Sequence, residues 1–180
     1  MKRSGPSMYA STHSSPVSAR GALAAAWGFI CALTLAAPIL LSYSCRRAAS
    51  VLYLSFSCIC HQIPERSFMI AGHPLAACHR CFGIYLGLFL GSLIENHIVH
   101  RSPQVRRLLV VAAGIPLLLD ALLPFAGLWT SSSMSRFFTG LLLGTLISPL
   151  LVRGVQEFLN EVSGAGLLSA ICISREASHE

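Results

Sequence analysis

Residues 58–87 read CICHQIPERSFMIAGHPLAACHRCFGIYLG, and the change of character within this stretch sets the class of fold. As far as Pro74 the chain is punctuated by proline, glycine, histidine and charge, which is the composition of a loop. From 75 it turns apolar and stays so to 94, close to the ~20 residues a helix needs to cross a bilayer. Cysteines stand at 58, 60, 78 and 81, and the last two, with His79 and Arg80, fall in the first turns of that helix. Thiols and imidazoles are metal ligands and redox groups. Charges set against membrane-grade apolar sequence are costly unless they are paired or in use. The chemistry of the chain is therefore concentrated at one helix end.

The rest of the sequence places that helix among others. Of 180 residues, 54% are hydrophobic and 11% charged, against about 25% charged in a soluble domain. The composition predicts an all-α, polytopic integral membrane helical bundle of about four transmembrane helices, in contact with a lipid bilayer. The spans are read at 21–41, 75–94, 108–129 and 136–152, with a short apolar helix at 48–60 that would make a fifth if it crossed. Residues 1–20 are rich in serine, proline and small side chains and are expected to be disordered. Residues 153–180 are read as a polar tail whose apolar piece, 164–173, is too short to cross.

The net charge of +6 is spread over termini and loops. No basic face interleaved with aromatics is present, so nucleic acid is not an expected partner. Positive residues orienting the spans account for the charge instead. The basic loop 95–107 is expected on the cytoplasmic side, which puts the motif and residues 130–136 on the outer face. Four spans leave the N-terminus inside, as Lys2, Arg3 and Arg20 favour; five would put it outside.

Cys78 and Cys81 form a C-x-x-C at a helix N-terminus, where the helix dipole and Arg80 both favour a thiolate. Adding Cys60 and His61 supplies four ligands for a tetrahedral ion such as zinc. Neighbouring residues diverge by ~100° on a helix, so Cys60 and His61 reach one ion only where the helix ends, and Pro64 places that end nearby. Two other readings stay open: a thiol pair or disulfide at Cys78/Cys81, and thiols that only pack. His61 has its own alternative, a hydrogen-bonded polar group at a helix end. Cys58 faces elsewhere, Cys31 and Cys172 read as small buried hydrophobes, and His73, His79, His97 and His100 read as structural.

Asp120 lies within an apolar span, where a carboxylate needs a partner; Arg136, Arg66 and Arg80 are the candidates. Any catalytic role falls to these four residues, Asp120, Arg66, Arg80 and Arg136. Gly83, Gly87 and Gly91 recur every fourth residue and admit another backbone at close range, a surface on which a homo-oligomer could form.

The run CHQIPERSF, then G-H-P followed by CHRCFGIYLG, then Asp120 and the RFFTG of 136–140 resembles the predicted membrane proteins of domain-of-unknown-function family 2085. The resemblance covers roughly 52–150. It places Cys60, His61, Gln62, Arg66, Ser67, Cys78, Arg80, Cys81, Gly83, Tyr85 and Gly87 at motif positions, with Asp120, Arg136 and Gly140 beyond. Phe82 stands where a threonine is common, and Met134 where an asparagine often precedes the arginine. The resemblance implies a small multi-span protein of bacterial or archaeal cell membranes, here a bacterial inner membrane, and implies no reaction.

Three functions are consistent with these residues. One is a membrane protein with an extracytoplasmic Cys/His metal site, structural or catalytic. Another is a membrane thiol-disulfide oxidoreductase using Cys78/Cys81, against which stands the lack of a well-spaced second cysteine pair. The third is a non-enzymatic lipid- or solute-handling bundle. No Ser/His/Asp motif, phosphate loop or HExxH is present, so no common hydrolase chemistry is indicated and enzyme status is left open.

Overall fold

The computed structural model describes residues 16–94, 103–124, 126–127 and 130–176. In chain order these form α1 (Pro16–Ser42), α2 (Arg46–Ser57), a 3-10 turn (Pro64–Arg66), β1 (Met69–Ile70), β2 (His73–Pro74), α3 (His79–Leu93), α4 (Pro103–Leu122) and α5 (Ser133–Glu176). The molecule is thus mostly helical. Two helical segments are long and apolar enough to cross a membrane by length and composition, Ala19–Ser42 at mean hydropathy 2.0 and Ser133–Val162 at 1.6. The readings of 1–15, of His97, His100 and Arg101 in the basic loop, and of Trp129 lie outside the described residues.

Several boundaries differ from the sequence reading. Residues 16–20, expected to be disordered, already belong to α1; the short apolar helix read at 48–60 is Arg46–Ser57; and the span read at 108–129 is helical over Pro103–Leu122. The helix read from 75 begins at His79, because Cys78 is its N-cap in extended conformation (φ −69°, ψ 163°). Leu75, Ala76 and Ala77 form a buried strap leading into it. The segment 61–74, read as loop, contains the 3-10 turn and a hairpin pairing Met69 with Pro74 and Ile70 with His73. Its two turn residues, Ala71 and Gly72, both have positive φ (49° and 80°), which matches the right-handed twist of a tight hairpin. Finally, α5 does not end near 152 but continues to Glu176 through Pro149. Proline deprives the Thr145 carbonyl of its helical donor, and that carbonyl faces Gly91 of α3.

The tightest packing is between α3 and α5. A Cβ on Gly83 would lie 2.3 Å from the Phe137 carbonyl oxygen, one on Gly87 2.3 Å from that of Leu141, and one on Gly91 2.8 Å from that of Thr145. The partners advance with the glycines, so the two helices run parallel. The seam is reciprocal: a Cβ on Gly140 would meet the Arg80 carbonyl at 2.4 Å, and one on Gly144 that of Ile84 at 2.3 Å. Lower down, Ser148 Oγ donates to the Leu88 carbonyl at 2.9 Å and lies 2.9 Å from Ser92 Oγ. The face of Gly83, Gly87 and Gly91 is therefore filled by α5 of the same chain. A second copy would have to use another surface.

α1 packs on α3 in the opposite direction. Arg20, near its start, donates to the Ile94 carbonyl past the end of α3 at 2.7 Å, while Ala37, near its end, joins Phe56 of α2 and Ala76 of the strap in a small core. Trp27 stacks on Tyr85 at 6.3 Å. α4 lies against α5 and buries little beyond Ala113 and Asp120; Val111, Ile115, Leu118 and Leu122 are each at least half exposed. The end of α4 and the starts of α3 and α5 converge at one end of the bundle. That end carries the sequence motif.

Candidate metal centre

Two segments deliver three sulfurs to one point. Cys60 follows the frayed end of α2, where the backbone N–H groups of Ile59 and Cys60 both donate to the Phe56 carbonyl, at 3.1 and 2.9 Å. Cys78 caps α3, and Cys81 sits in its first turn. The three Sγ atoms lie within 4.8 Å of one another, with Cys60 buried and the other two half-buried. The Cys78 backbone N–H donates to Cys60 Sγ at 3.2 Å. Tetrahedral coordination with ~2.3 Å metal–sulfur bonds places sulfurs about 3.8 Å apart, so the cluster would need to contract by only about 1 Å at its widest. His61, expected as a fourth ligand, is exposed and lies on the wall of the adjoining cavity rather than within the sulfur cluster.

The loop holds this arrangement through side chains the sequence reading assigned no task. Gln62, at φ 50°, donates from Nε2 to the carbonyls of Tyr53 on α2, at 2.7 Å, and of Ala76 on the strap, at 2.9 Å. It therefore ties together the two segments that carry Cys60 and Cys78. The Tyr53 hydroxyl donates to the Pro74 carbonyl, fixing the hairpin to α2. His79 is buried with Phe68 edge-on at 4.3 Å, a packing role that keeps it out of the cluster. Position in the CHQ motif was the available signal for Gln62, but its two acceptors are 9 and 14 residues away and follow no short-range pattern.

Beside the cysteines lies a polar clasp. Arg80 binds Asp120 Oδ2 at 2.6 Å, so of the three arginines considered it is Arg80 that pairs with the buried acid. Ser131 and Ser135 both donate to Asp120 Oδ1, at 2.7 and 2.6 Å. Arg136 is one step removed: its Nε donates to Ser131 Oγ at 2.9 Å. Three donors on one carboxylate locate the end of α4 against the starts of α3 and α5. Sequence reasoning passed over Ser131 and Ser135 because they sit in a serine-rich linker that reads as a loop.

A cavity of about 390 Å³ opens onto the cluster, lined by Cys60, Cys78 and Cys81 together with Arg66, Arg80 and Arg136. His61, Ile59 and Ile63 complete its rim. Soft sulfur donors meeting an accessible, positively charged space suit a metal ion with a coordination position left for water or a ligand.

Comparison with known proteins agrees with the motif. An uncharacterized protein of Methanocaldococcus jannaschii is 40% identical over 95 residues, covering 52% of this chain and 61% of its own length. An uncharacterized protein of Methanothermobacter thermautotrophicus is 38% identical over 88 residues, covering 49% of this chain and 79% of its own. No solved structure matches the chain. The model of the family described as predicted membrane protein, domain of unknown function 2085, matches residues 60–150, from the first clustered cysteine to the middle of α5. The chain belongs to that family of predicted membrane proteins.

Proposed function

We propose that this is a multi-pass cell-membrane protein whose outer end holds a zinc ion on Cys60, Cys78 and Cys81. The observation that carries the reading is the meeting of three sulfurs within 4.8 Å, one from the chain after α2 and two from the start of α3, beside a cavity that gives a fourth position room. A disulfide would use two of the thiols and leave the third without a task, whereas a thiolate-selecting ion uses all three.

Several features support a four-span arrangement with α1, α3, α4 and α5 crossing. α3 is short, at 15 residues, and the strap 75–77 ahead of it adds apolar length. From Leu108 onward the exposed side chains of α4 are apolar. Arg20 and Arg153 stand far from the motif: Arg153 lies twenty residues past the start of α5, about 30 Å along a helix and about one hydrocarbon thickness. With the basic residues of 95–107, they favour a cytoplasmic far end and an extracytoplasmic metal end. α2, with Arg46 and Arg47 at its start and Val51 and Leu54 exposed, suits the interface.

The test is elemental analysis of the detergent-purified protein with free-thiol counting on the same sample. About one equivalent of zinc is expected, lost in Cys78→Ser. Absence of metal with two thiols missing would replace this reading with the thiol-disulfide one. Absence of metal with every thiol free would leave the cysteines as packing residues.

A further inference from the structure

The cavity beside the cysteines carries more positive charge than its own walls neutralise. Arg66, Arg80 and Arg136 line it and no carboxylate does among the described residues, while Asp120 beside it is taken up by Arg80 and two serines. A divalent ion on three thiolates would contribute one negative charge, which still leaves an excess cation. Uncompensated charge at a membrane-embedded end is costly.

The donors are also unsatisfied in a particular way. Arg80 Nε is buried with no hydrogen-bond partner. The Arg66 side chain, exposed at the end of the 3-10 turn, has no ionic or hydrogen-bonded partner among the described residues. Among the described residues the Arg136 side chain commits only its Nε, to Ser131. Guanidinium groups converging with free N–H donors match the oxygens of a phosphate, which they bind in bidentate fashion. The rim adds apolar side chains, Ile59 at 63% and Ile63 at 36% exposure, so the same opening offers cations and an apolar edge.

We infer that the cavity binds the phosphate group of an anionic amphiphile, held by Arg66, Arg80 and Arg136 with its apolar part along Ile59 and Ile63. The inference rests on the reading above for the placement of this end at the membrane surface, where lipid headgroups lie. It does not require the metal.

The experiment titrates the full-length protein in detergent with three probes: short-chain phosphatidic acid, inorganic phosphate and short-chain phosphatidylcholine, with metal content measured in parallel. Phosphatidic acid is expected to bind at least about tenfold more tightly than phosphatidylcholine, and Arg66→Gln with Arg136→Gln to weaken it by about tenfold or more at unchanged metal content. Arg66→Gln alone, at an exposed position, gives the same readout should the double variant fold poorly. Equal binding of inorganic phosphate, lost in the same variants, would uphold the arginine site and assign it to free phosphate. Binding that is absent for all three probes, or untouched by the arginine variants, would overturn the inference. Phosphate binding to a metal-free protein would sink the zinc reading alone.

Discussion

The α3–α5 seam and the α4 clasp hold the same bundle by opposite means. Along the seam, five glycines on two helices remove side chains so that each backbone nearly touches the other's carbonyls. At the clasp, α4 is joined to its neighbours through the polar side chains of Asp120, Arg80, Ser131 and Ser135. The seam tolerates no added atom and specifies one register. The clasp tolerates sequence change along most of α4 but depends on one buried acid. Dispersion at close range does the work where lipid offers no hydrophobic drive between helices, and hydrogen bonding does it where a charge must be satisfied. The cysteine cluster sits where the two meet, on the first turn of α3.

The contrast can be broken most severely at the seam. Gly87→Leu places a branched side chain where even a Cβ would be 2.3 Å from a carbonyl. We expect a loss above about 3 kcal/mol, read as aggregation or a collapsed melting temperature in detergent, with metal binding lost as the cluster distorts. Next in size is Asp120→Asn. It leaves Arg80 without its ionic partner, at about 1–3 kcal/mol, discounted from a fully buried pair because the Arg80 side chain is 27% exposed; thermal denaturation in detergent measures it, and a loss below about 0.5 kcal/mol would show the clasp to be ornamental.

Smaller again is Gln62→Ala, which frees the Tyr53 and Ala76 carbonyls at a cost of about 1–2 kcal/mol. Its distinguishing sign is weaker metal retention under a chelator titration, because Gln62 holds the Cys60 and Cys78 segments together. Unchanged retention would mean that the cysteines keep their positions without it. The smallest effect is a gain. Gly114 on α4 has nothing within 4 Å of a built Cβ, so Gly114→Ala should raise stability by up to about 1 kcal/mol. A loss of stability there would show that α4 packs more closely than the clasp picture allows. Cys78→Ser and Cys31→Ser sharpen the comparison at the junction: the first should lower the melting temperature through metal loss, while Cys31, buried in α1, should respond weakly.

How much of this was legible follows from what each feature depends on. The helical membrane class was readable because apolar length is a local property. The grouping of Cys60, Cys78 and Cys81 was readable because two lie one turn apart and the third precedes a proline. The glycine spacing announced a close helix contact, but its partner could not be read, since Gly140 and Gly144 of the same chain and a second copy fit the pattern equally well. Asp120 advertised a need for a cation, yet choosing Arg80 over Arg66 and Arg136 requires the relative placement of three helix ends. Gln62 and Ser131 act on groups brought near only by folding. His61 is a different case: adjacency to Cys60 in sequence suggested a shared ion, and in the structure it is exposed and lines the adjoining cavity.

The central claim is that three sulfurs from Cys60, Cys78 and Cys81 share one ion, and X-ray absorption at the zinc edge of the purified protein tests it most directly. The account predicts three sulfur scatterers at about 2.3 Å and one lighter ligand near 2.0 Å, falling to two sulfurs or to no bound zinc in Cys60→Ser. A first shell of oxygen and nitrogen alone, or one unchanged by that substitution, would contradict it.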